Sequence, residues 1–429
     1  AALALLAAPT AAGAASLLDV QGDCIHRPPS SGWITRTHAG DGFVVHAPAS
    51  QAAAATEAEQ VIRTKSVLPF YEARLSISGL GTPAQAGAPY PVYLDPELPS
   101  ADPSADGVTS KVCEAPAESA VVVRTDIHGV EFHATLVHEL FHAAQTRAAG
   151  GFFADDWWYE ATATYAETLF GFGADSHAFD RDLTDHPSQR MDLFRDVSDG
   201  VQAHEYGAWL FASWLVHRKA MTWPRMRHTF ALGQGGDTTA ALHQVIDAGD
   251  ETLGEEVASF WGDHLKPKPV DGPTGHLTRV DVGPGTSVDD FPAPVLLGAR
   301  LLAIHPTSGV QQLVVKVAKV PAHTVVEIWR GDDGVERLGP GDSTVDTYCR
   351  TGATPGSYEL PASGDVRIAI VTTDGSPGPD VRITSIGERT KCPPQLVIVP
   401  GIGVGPLHLG MTVAQASAAS RSHRLGAAR

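Results

Sequence analysis

The first part of the chain alternates between helical and strand-like spacing of apolar residues. An Ala/Glu-rich stretch, Ala52–Tyr71, has helical spacing, whereas Pro89–Pro96 alternates like a strand and Glu118–Asp126 is a β-branched run. The Pro/Ser/Asp/Gly-rich segment 97–110 is expected to be a loop. Further helices are predicted at Glu131–Ala148, Asp155–Phe170, His204–Arg218, Thr238–Ala248 and Leu253–Leu265. This mixture indicates an α+β domain over residues 17–268.

The pattern of apolar and polar residues changes after a Pro/Gly-rich linker, Lys266–Gly275. Short apolar runs then recur between turns: RLLAIHP, QQLVVKVAKV, TVVEIWRG, VRIAIVTTD and VRITSIG. Their spacing predicts a β-sandwich accessory domain over residues 276–395. Residues 396–429 are similar to the opening of a small module of exported actinobacterial proteins, with a Gly-rich strand and a helix capped by Thr412. The expected fold class of the chain is therefore α+β followed by a β-sandwich.

The N-terminus, AALALLAAPTAAGAAS, is a short apolar run followed by small residues, as at a signal-peptidase site. A bilayer span needs about 20 apolar residues, so we expect residues 1–16 to be a signal-peptide remnant with no membrane span. The alternative is a buried Ala/Leu helix. We expect a secreted, extracellular protein. The 49 acidic and 31 basic residues give a formal charge of −18, which argues against nucleic-acid partners.

Four cysteines are widely spaced along the chain: Cys24, Cys113, Cys349 and Cys392. None forms a C-x-x-C pair, which argues against a cysteine zinc site or a thioredoxin-like motif. An even number in an exported chain predicts two disulfides, with three connectivities possible. The simplest pairing is Cys24–Cys113 and Cys349–Cys392, and four buried thiols are the alternative.

The segment HATLVHELFHAAQ carries the candidate chemistry. His138 and His142 are four residues apart, so on a helix they project from one face and can reach a single ion. Another face is apolar and available to pack on a sheet: Val137, Leu140, Phe141 and Ala144. The alternative is a helix with two solvated or core histidines. A hydrolytic zinc site needs three protein ligands and one open position, so a third ligand is required.

Glu160 is the candidate third ligand. It lies in ADDWWYEATATYAETLF, where Asp155 or Asp156 can cap a helix whose first turn or so contains Glu160. The glycines at 150–151 let the chain turn back, so this helix can lie against the histidine helix. An ordinary solvated carboxylate is the alternative for Glu160.

Together, HELFHAAQ and WWYEATATYAE resemble the HExxH…WxxEGxAxYxE pattern of the aminopeptidase N-like gluzincins, within the peptidase MA superfamily. The resemblance covers roughly residues 119–265. It implies Zn²⁺ as cofactor, with His138, His142 and Glu160 as ligands and Glu139 as general base. Ala161 stands where the family usually has Gly. Tyr165 and Glu167 match two further helix positions of the family.

The stretch His204–Leu215 looks like the helix that carries the family's transition-state donor, a tyrosine shortly before a glycine. The family's Y-x-x-G spacing would place the donor at His204, whereas Tyr206 directly precedes Gly207. We favour Tyr206 as donor, keep His204 as the alternative, and note that Tyr206 could be a core aromatic. The aspartate that orients a histidine in the thermolysin branch is missing after Glu160, so that contact is left unassigned.

The resemblance implies a zincin-like metallopeptidase domain with a small sheet and active-site helices, acting on a peptide or protein substrate. Glu139 would take a proton from a zinc-activated water. The strand Val121–Val123 is expected to pair with an extended peptide. No GAMEN-like exopeptidase motif is visible, which favours an endopeptidase. The alternatives are a catalytically inactive gluzincin-like domain, or a cell-surface or glycan-binding module carried by the β-sandwich.

Overall fold

The computed structural model of the protein has two compact units, with residues 1–183 and 192–252 in unit 1 and residues 184–191 and 253–429 in unit 2. The structure describes residues 24–29, 31–38, 40–96, 106–153, 156–173, 177, 179–192, 204–249, 251–269, 272–288, 297–318, 320–331, 334–350, 357–361, 364–372, 381–386, 398–399, 403–404 and 407–408. The predicted signal-peptide remnant and the helix expected after Thr412 lie outside these residues. Helices and small mixed sheets make the chain α+β.

Unit 1 combines one sheet with a set of helices. In chain order its elements are β1 (Trp33–Arg36), β2 (Phe43–Pro48), α1 (Ala52–Thr64), α2 (Val67–Leu75), β3 (Tyr90–Asp95), β4 (Gly107–Val112), β5 (Ala115–Arg124), α3 (Val130–Ala149), α4 (Trp157–Leu169), α5 (Asp180–Thr184, whose last residue belongs to unit 2), α6 (His204–Gly207), α7 (Trp209–His217), α8 (Trp223–Leu232) and α9 (Thr238–Ile246). The sheet has the order β1-β2-β3-β5-β4. Strands β2, β3 and β5 run parallel, whereas β1 and β4 are antiparallel to their neighbours.

Strand β5 is buried on both faces, which explains why its sequence is a continuous β-branched run. On one face Ala120 and Val122 pack with Ile25, Tyr93 and Val112. Side chains alternate along a strand, so the neighbouring positions of β5 face the other side, where α3 packs against β4 and β5. Helix α3 therefore follows a strand whose residues Ser119–Val123 are buried within the sheet.

The strand Val121–Val123 cannot add a peptide, and that prediction is wrong. Val121 is paired with Val92 of β3 on one side and with Thr109 of β4 on the other. Its backbone hydrogen-bonding groups are therefore already in the sheet. The edge strand on this side is β4, part of which lies in the segment 97–110 that we expected to be a loop.

The predicted bond Cys24–Cys113 is confirmed, and it fastens an N-terminal segment beside β4, where Ile25 forms a parallel bridge with Val112. The amide of Ile25 donates to the carbonyl of Lys111, and the amide of Cys113 donates to the carbonyl of Ile25. Ile25 is fully buried as a result. The disulfide thus holds an apolar side chain on the face of β5 opposite to α3.

The helix expected at Ala52–Tyr71 is instead two helices, α1 and α2. The break is at Lys65 and Ser66, where Ser66 adopts the left-handed conformation with φ 54°. Pro69 is the physical reason: it lacks an N–H, and in a continuous helix its ring would clash with the carbonyl of Lys65. The helix α8 and the strands β1 and β2 were not predicted.

Unit 2 is mostly β-structure. Its elements are α10 (Leu253–Asp263), β6 (Thr278–Val282), β7 (Ser287–Val288), β8 (Ala299–Pro306), β9 (Gln312–Val317), β10 (Thr324–Trp329), β11 (Val335–Leu338), β12 (Thr344–Cys349), β13 (Tyr358–Glu359), β14 (Val366–Thr372), β15 (Val381–Ile386), β16 (Ile398–Val399), β17 (Gly403–Val404) and β18 (Leu407–His408). Two sheets have the orders β11-β10-β14-β8-β6 and β13-β12-β9-β15-β7, and a third is β16-β17-β18. All five apolar runs identified in the sequence form strands.

The two larger sheets of unit 2 contribute to one apolar core. It includes Ile304 and Ile328 from one sheet and Val315 and Tyr348 from the other, all essentially inaccessible. Helix α10, which the sequence assigned to the first domain, packs against β10 and β14. Cys349 is disulfide-bonded, and its expected partner Cys392 lies outside the described residues.

Among the described residues, no helix is long and apolar enough to span a membrane.

Candidate metal site

Helix α3 carries the two histidines through the interior of unit 1. The predicted apolar face is fully buried: Val137, Leu140, Phe141 and Ala144. The polar residues are also enclosed, since His138 is 7% and His142 8% exposed. This burial is more complete than an amphipathic helix would have, because α2, α4, α8 and the strands β4 and β5 all pack around α3.

A turn after α3 and a cap at the start of α4 place helix α4 against helix α3. Helix α3 ends at Gly150, which adopts the left-handed conformation with φ 84°, so the chain can turn back. The side chain of Asp156 caps α4 by accepting from the amide of Trp158 at 3.3 Å. Asp156 also accepts from the hydroxyl of Thr238. These contacts place Glu160 in the first turn of α4, facing the histidines.

Three side chains from the two helices converge on one point. His138 Nε2 lies 3.1 Å from Glu160 Oε2 and 3.0 Å from His142 Nε2, and His142 Nε2 lies 3.4 Å from Glu160 Oε2. Ligands about 2.0–2.1 Å from a tetrahedral metal ion are roughly 3.3 Å from one another. The spacing therefore fits a single ion, and within the described residues these three form the one group of potential metal ligands.

The partners of the two imidazoles direct their lone pairs toward that point. Nδ1 of His138 is 2.8 Å from Oε1 of Glu167, and Nδ1 of His142 is 2.6 Å from Oε1 of Gln145. The Gln145 amide nitrogen donates to the carbonyl of Tyr159, which identifies its oxygen as the atom facing His142. Both partner oxygens accept, so each Nδ1 donates. With Nδ1 donating in each ring, Nε2 is the nitrogen left to bind a metal ion once any second proton is released.

The electrostatics of the group favour a cation. Burial opposes protonation of His138, but hydrogen bonds with Glu160 and Glu167 outweigh it and raise the pKa of its imidazole well above the ordinary value. Burial also opposes protonation of His142, and the charge of Glu160 raises its pKa. Burial works against ionisation of Glu160, yet the two histidines hold the pKa of its carboxyl far below the usual range. The negative potential that attracts protons would equally attract a metal ion.

Glu139 lies beside this group and is held by strand β4. Thr109 Oγ1 is 2.7 Å from Glu139 Oε2 and 2.8 Å from the Glu139 carbonyl oxygen. Gly107 leaves room for the side chain, because a Cβ there would lie 2.6 Å from Glu139 Cγ. Burial raises the pKa of Glu139, and the positive charge of the histidines moderates the rise. A raised carboxyl pKa suits a proton acceptor that works near neutral pH.

The two candidate oxyanion donors have different surroundings. The half-buried ring of Tyr206 lies beside His138, with 5.9 Å between ring centroids. His204 is 1% exposed, and its Nδ1 lies 2.9 Å from the carbonyl oxygen of Asp182. The expected helix His204–Arg218 is divided into α6 and α7. The last residue of α6, Gly207, leaves no room for a side chain, because a Cβ there would lie 2.7 Å from the carbonyl oxygen of Phe179.

The remaining positions named from the sequence are all buried in α4. Ala161 is fully buried and Tyr165 is 5% exposed, with its ring stacked on Trp223. Glu167 fills the role that had been left unassigned, since it accepts from His138. Gln145, the equivalent partner of His142, was missed, although it is three residues along the same helix and thus on a neighbouring face.

Compared with models of known protein families and with curated protein sequences, the chain matches none of them.

Proposed function

We propose that this chain is a zinc-dependent peptidase of the gluzincin type. The observation that supports the proposal most strongly is the convergence of His138 Nε2, His142 Nε2 and Glu160 Oε2 within one buried group. Two imidazoles and one carboxylate suit Zn²⁺, whereas Mg²⁺ and Ca²⁺ prefer oxygen ligands. Three protein ligands leave one tetrahedral position for water or substrate, which is typical of catalytic zinc sites.

Zinc held by His138, His142 and Glu160 would supply a Lewis acid and would lower the pKa of a bound water to about 7. Glu139 is the general base: its carboxylate takes a proton from the attacking water and passes it to the leaving amine. Thr109 keeps the carboxylate in place through its hydroxyl. Glu167 and Gln145 orient the histidines by accepting from their Nδ1 atoms, which leaves Nε2 of each ring to bind the metal.

Tyr206 is the better candidate for the oxyanion donor. Its ring lies beside that of His138, with 5.9 Å between the ring centroids. His204 instead makes a hydrogen bond with a backbone carbonyl, which commits one of its two ring nitrogens. A phenol donates to an oxyanion without changing its protonation state near neutral pH.

Peptide substrate binds along β4 in this proposal. Strand β4 is last in the sheet order, and two of its residues, Gly107 and Thr109, contact Glu139. Ile25 already pairs with the other end of β4, at Lys111–Cys113, so an extended peptide would be added beside Gly107 and Thr109, next to the general base. The edge strand thus replaces Val121–Val123 as the candidate binding strand.

The proposal includes a zincin-like fold for unit 1 and a β-sandwich for unit 2. Two five-stranded sheets that share one apolar core support a sandwich. Export is supported by the Cys24–Cys113 bond, since disulfides persist in oxidising compartments.

The direct test compares metal content with hydrolysis. The purified wild-type protein should contain one zinc per chain and cleave peptides until a chelator removes the metal. Glu160→Gln should lose zinc and activity, whereas Glu139→Gln should keep zinc and lose activity. Glu131→Gln, an exposed position in the first turn of α3, serves as the matched control and should change neither. Zinc-free but active wild-type protein, or full activity in Glu139→Gln, would contradict the proposal.

A further inference from the structure

Three aromatic rings form a stack that ends at the metal site. Phe153 lies on Tyr159 with 3.7 Å between ring centroids and 8° between planes. Tyr159 in turn lies on Phe230 at 5.5 Å and 24°. Tyr159 and Phe230 are buried, at 1% and 0% exposure, whereas Phe153 is half-buried. Phe153 is therefore the outer ring of the stack, with one face on Tyr159.

The outer ring is adjacent to a metal ligand. The ring of Phe153 lies 6.2 Å from the ring of His142, and Tyr159 directly precedes Glu160. Tyr206 occupies the corresponding position beside His138. Tyr206 carries a hydroxyl, but Phe153 has no polar atom in its side chain, so it can offer a bound molecule only apolar and ring contacts.

Two hydrogen bonds hold Tyr159, the middle ring of the stack, in place. The hydroxyl of Tyr159 donates to the carbonyl of Phe230 at 3.1 Å. The carbonyl of Tyr159 accepts from Gln145, the residue that also orients His142. Because Tyr159 is fixed at both ends, Phe153 rests on a support that needs no rearrangement when a ligand binds. Preorganisation of this kind lowers the cost of binding.

From these contacts we infer that Phe153 determines substrate specificity, as a platform for an aromatic or large aliphatic side chain next to the scissile bond. The inference rests on the proposed peptidase function and names its substrate class. A substrate held at the metal places the side chains flanking its scissile bond within a few ångströms of the ligands, and the ring beside His142 would contact one of them. Ring-on-ring contact favours an aromatic side chain there over a small or charged one.

The test maps the residues that flank cleaved bonds in a mixed peptide library. For the wild type, one flanking position should be enriched in Phe, Tyr, Trp, Leu or Met. In Phe153→Ala, kcat/KM for peptides with an aromatic residue there should fall by about tenfold relative to peptides with Ala there. Phe153→Leu should keep the aliphatic preference and lose the aromatic one. Phe152→Ala is the matched control, because it removes a neighbouring exposed ring from the same loop, and its preference should match the wild type.

A second measurement does not depend on turnover. In the Glu139→Gln background, titration calorimetry should show that Phe153→Ala weakens binding of an aromatic peptide but not of its Ala counterpart, at unchanged zinc content. An equal loss for all peptides, or an unchanged preference in Phe153→Ala, would overturn the inference while leaving the peptidase intact. A wild type that binds zinc but cleaves no peptide would overturn the proposed function and this inference with it.

Discussion

Replacing Gln145 with Leu tests whether metal affinity depends on the partner of His142. Gln145 is fully buried, and its amide oxygen accepts from His142 Nδ1 at 2.6 Å. Its nitrogen donates to the Tyr159 carbonyl at 2.9 Å and to Thr162 Oγ1 at 2.8 Å. A leucine fills a similar volume but makes none of these bonds. The variant therefore separates orientation of the ring from packing of the helix.

The expected magnitude follows from the groups left behind. Without Gln145 the Nδ1–H of His142 has lost its acceptor, so the ring can rotate or exchange tautomer and turn a proton toward the metal. Loss of such a partner typically weakens metal affinity by about 10- to 100-fold. The Tyr159 carbonyl also loses its donor, and each buried polar group left unsatisfied costs about 1–3 kcal/mol. The free energy of unfolding of the metal-free protein should thus fall by a few kcal/mol.

The assay is a zinc dissociation constant, measured by competition with a chromophoric chelator on protein stripped of metal and reloaded. Circular dichroism of the metal-free form checks that each variant is folded. Thr162→Val is the matched control: it removes one acceptor of the same network but leaves the bond to His142 intact. Its zinc affinity should stay within about twofold of the wild type, since the ligand keeps its partner.

Two results would refute this reasoning. Folded Gln145→Leu with wild-type zinc affinity would mean that the hydrogen bond to His142 does not support the ligand. Equal weakening in Thr162→Val would mean that the network stabilises the helix pair without acting on the metal. Gln145→Glu, which keeps an acceptor for His142, should retain more zinc affinity than Gln145→Leu if orientation is the cause.

Three further predictions concern neighbouring parts of unit 1. Gly107→Ala would bring a methyl group to 2.6 Å from Glu139 Cγ, so kcat should fall by about 10²-fold at constant zinc content, as expected when a catalytic group is displaced by about an ångström. Tyr206→Phe should lower kcat by about 10²- to 10³-fold with KM nearly unchanged, whereas His204→Ala should lower kcat only slightly. If His204→Ala instead abolishes most of the activity, His204 is the oxyanion donor and Tyr206 is not. The Cys24–Cys113 bond closes a separation of 89 residues, so replacing both with Ser should reduce the free energy of unfolding in urea by about 2–5 kcal/mol.

The sequence alone determined those features that depend on local spacing. The interval between His138 and His142 matches one turn of helix, so a shared face follows from helix geometry. The capping residue before α4 and the glycines after α3 predicted the turn that brings Glu160 back. The strands of unit 2 were recognised because short β-branched runs between turn residues are a local signal.

One local signal in the sequence, a proline, contradicts the single helix expected at Ala52–Tyr71. Pro69 excludes a continuous helix at Ala52–Tyr71, because its ring conflicts with the carbonyl of Lys65. Strands β1 and β2 take their place in the sheet because β2 pairs with β3 and β1 pairs with β2, contacts that no local sequence pattern predicts.

Only the tertiary structure decided which residues from other elements surround the candidate ligands. Packing of α4 on α3 brings Glu167 to His138, and the Tyr159 carbonyl of α4 accepts from the Gln145 amide, which turns the Gln145 oxygen toward His142. The same is true of β4, whose antiparallel pairing with β5 brings Gly107 and Thr109 against Glu139. The periodicity of apolar residues predicts which way a side chain points from its own helix or strand. The partner it meets depends on how separate elements pack, and that depends on burial summed over the whole core.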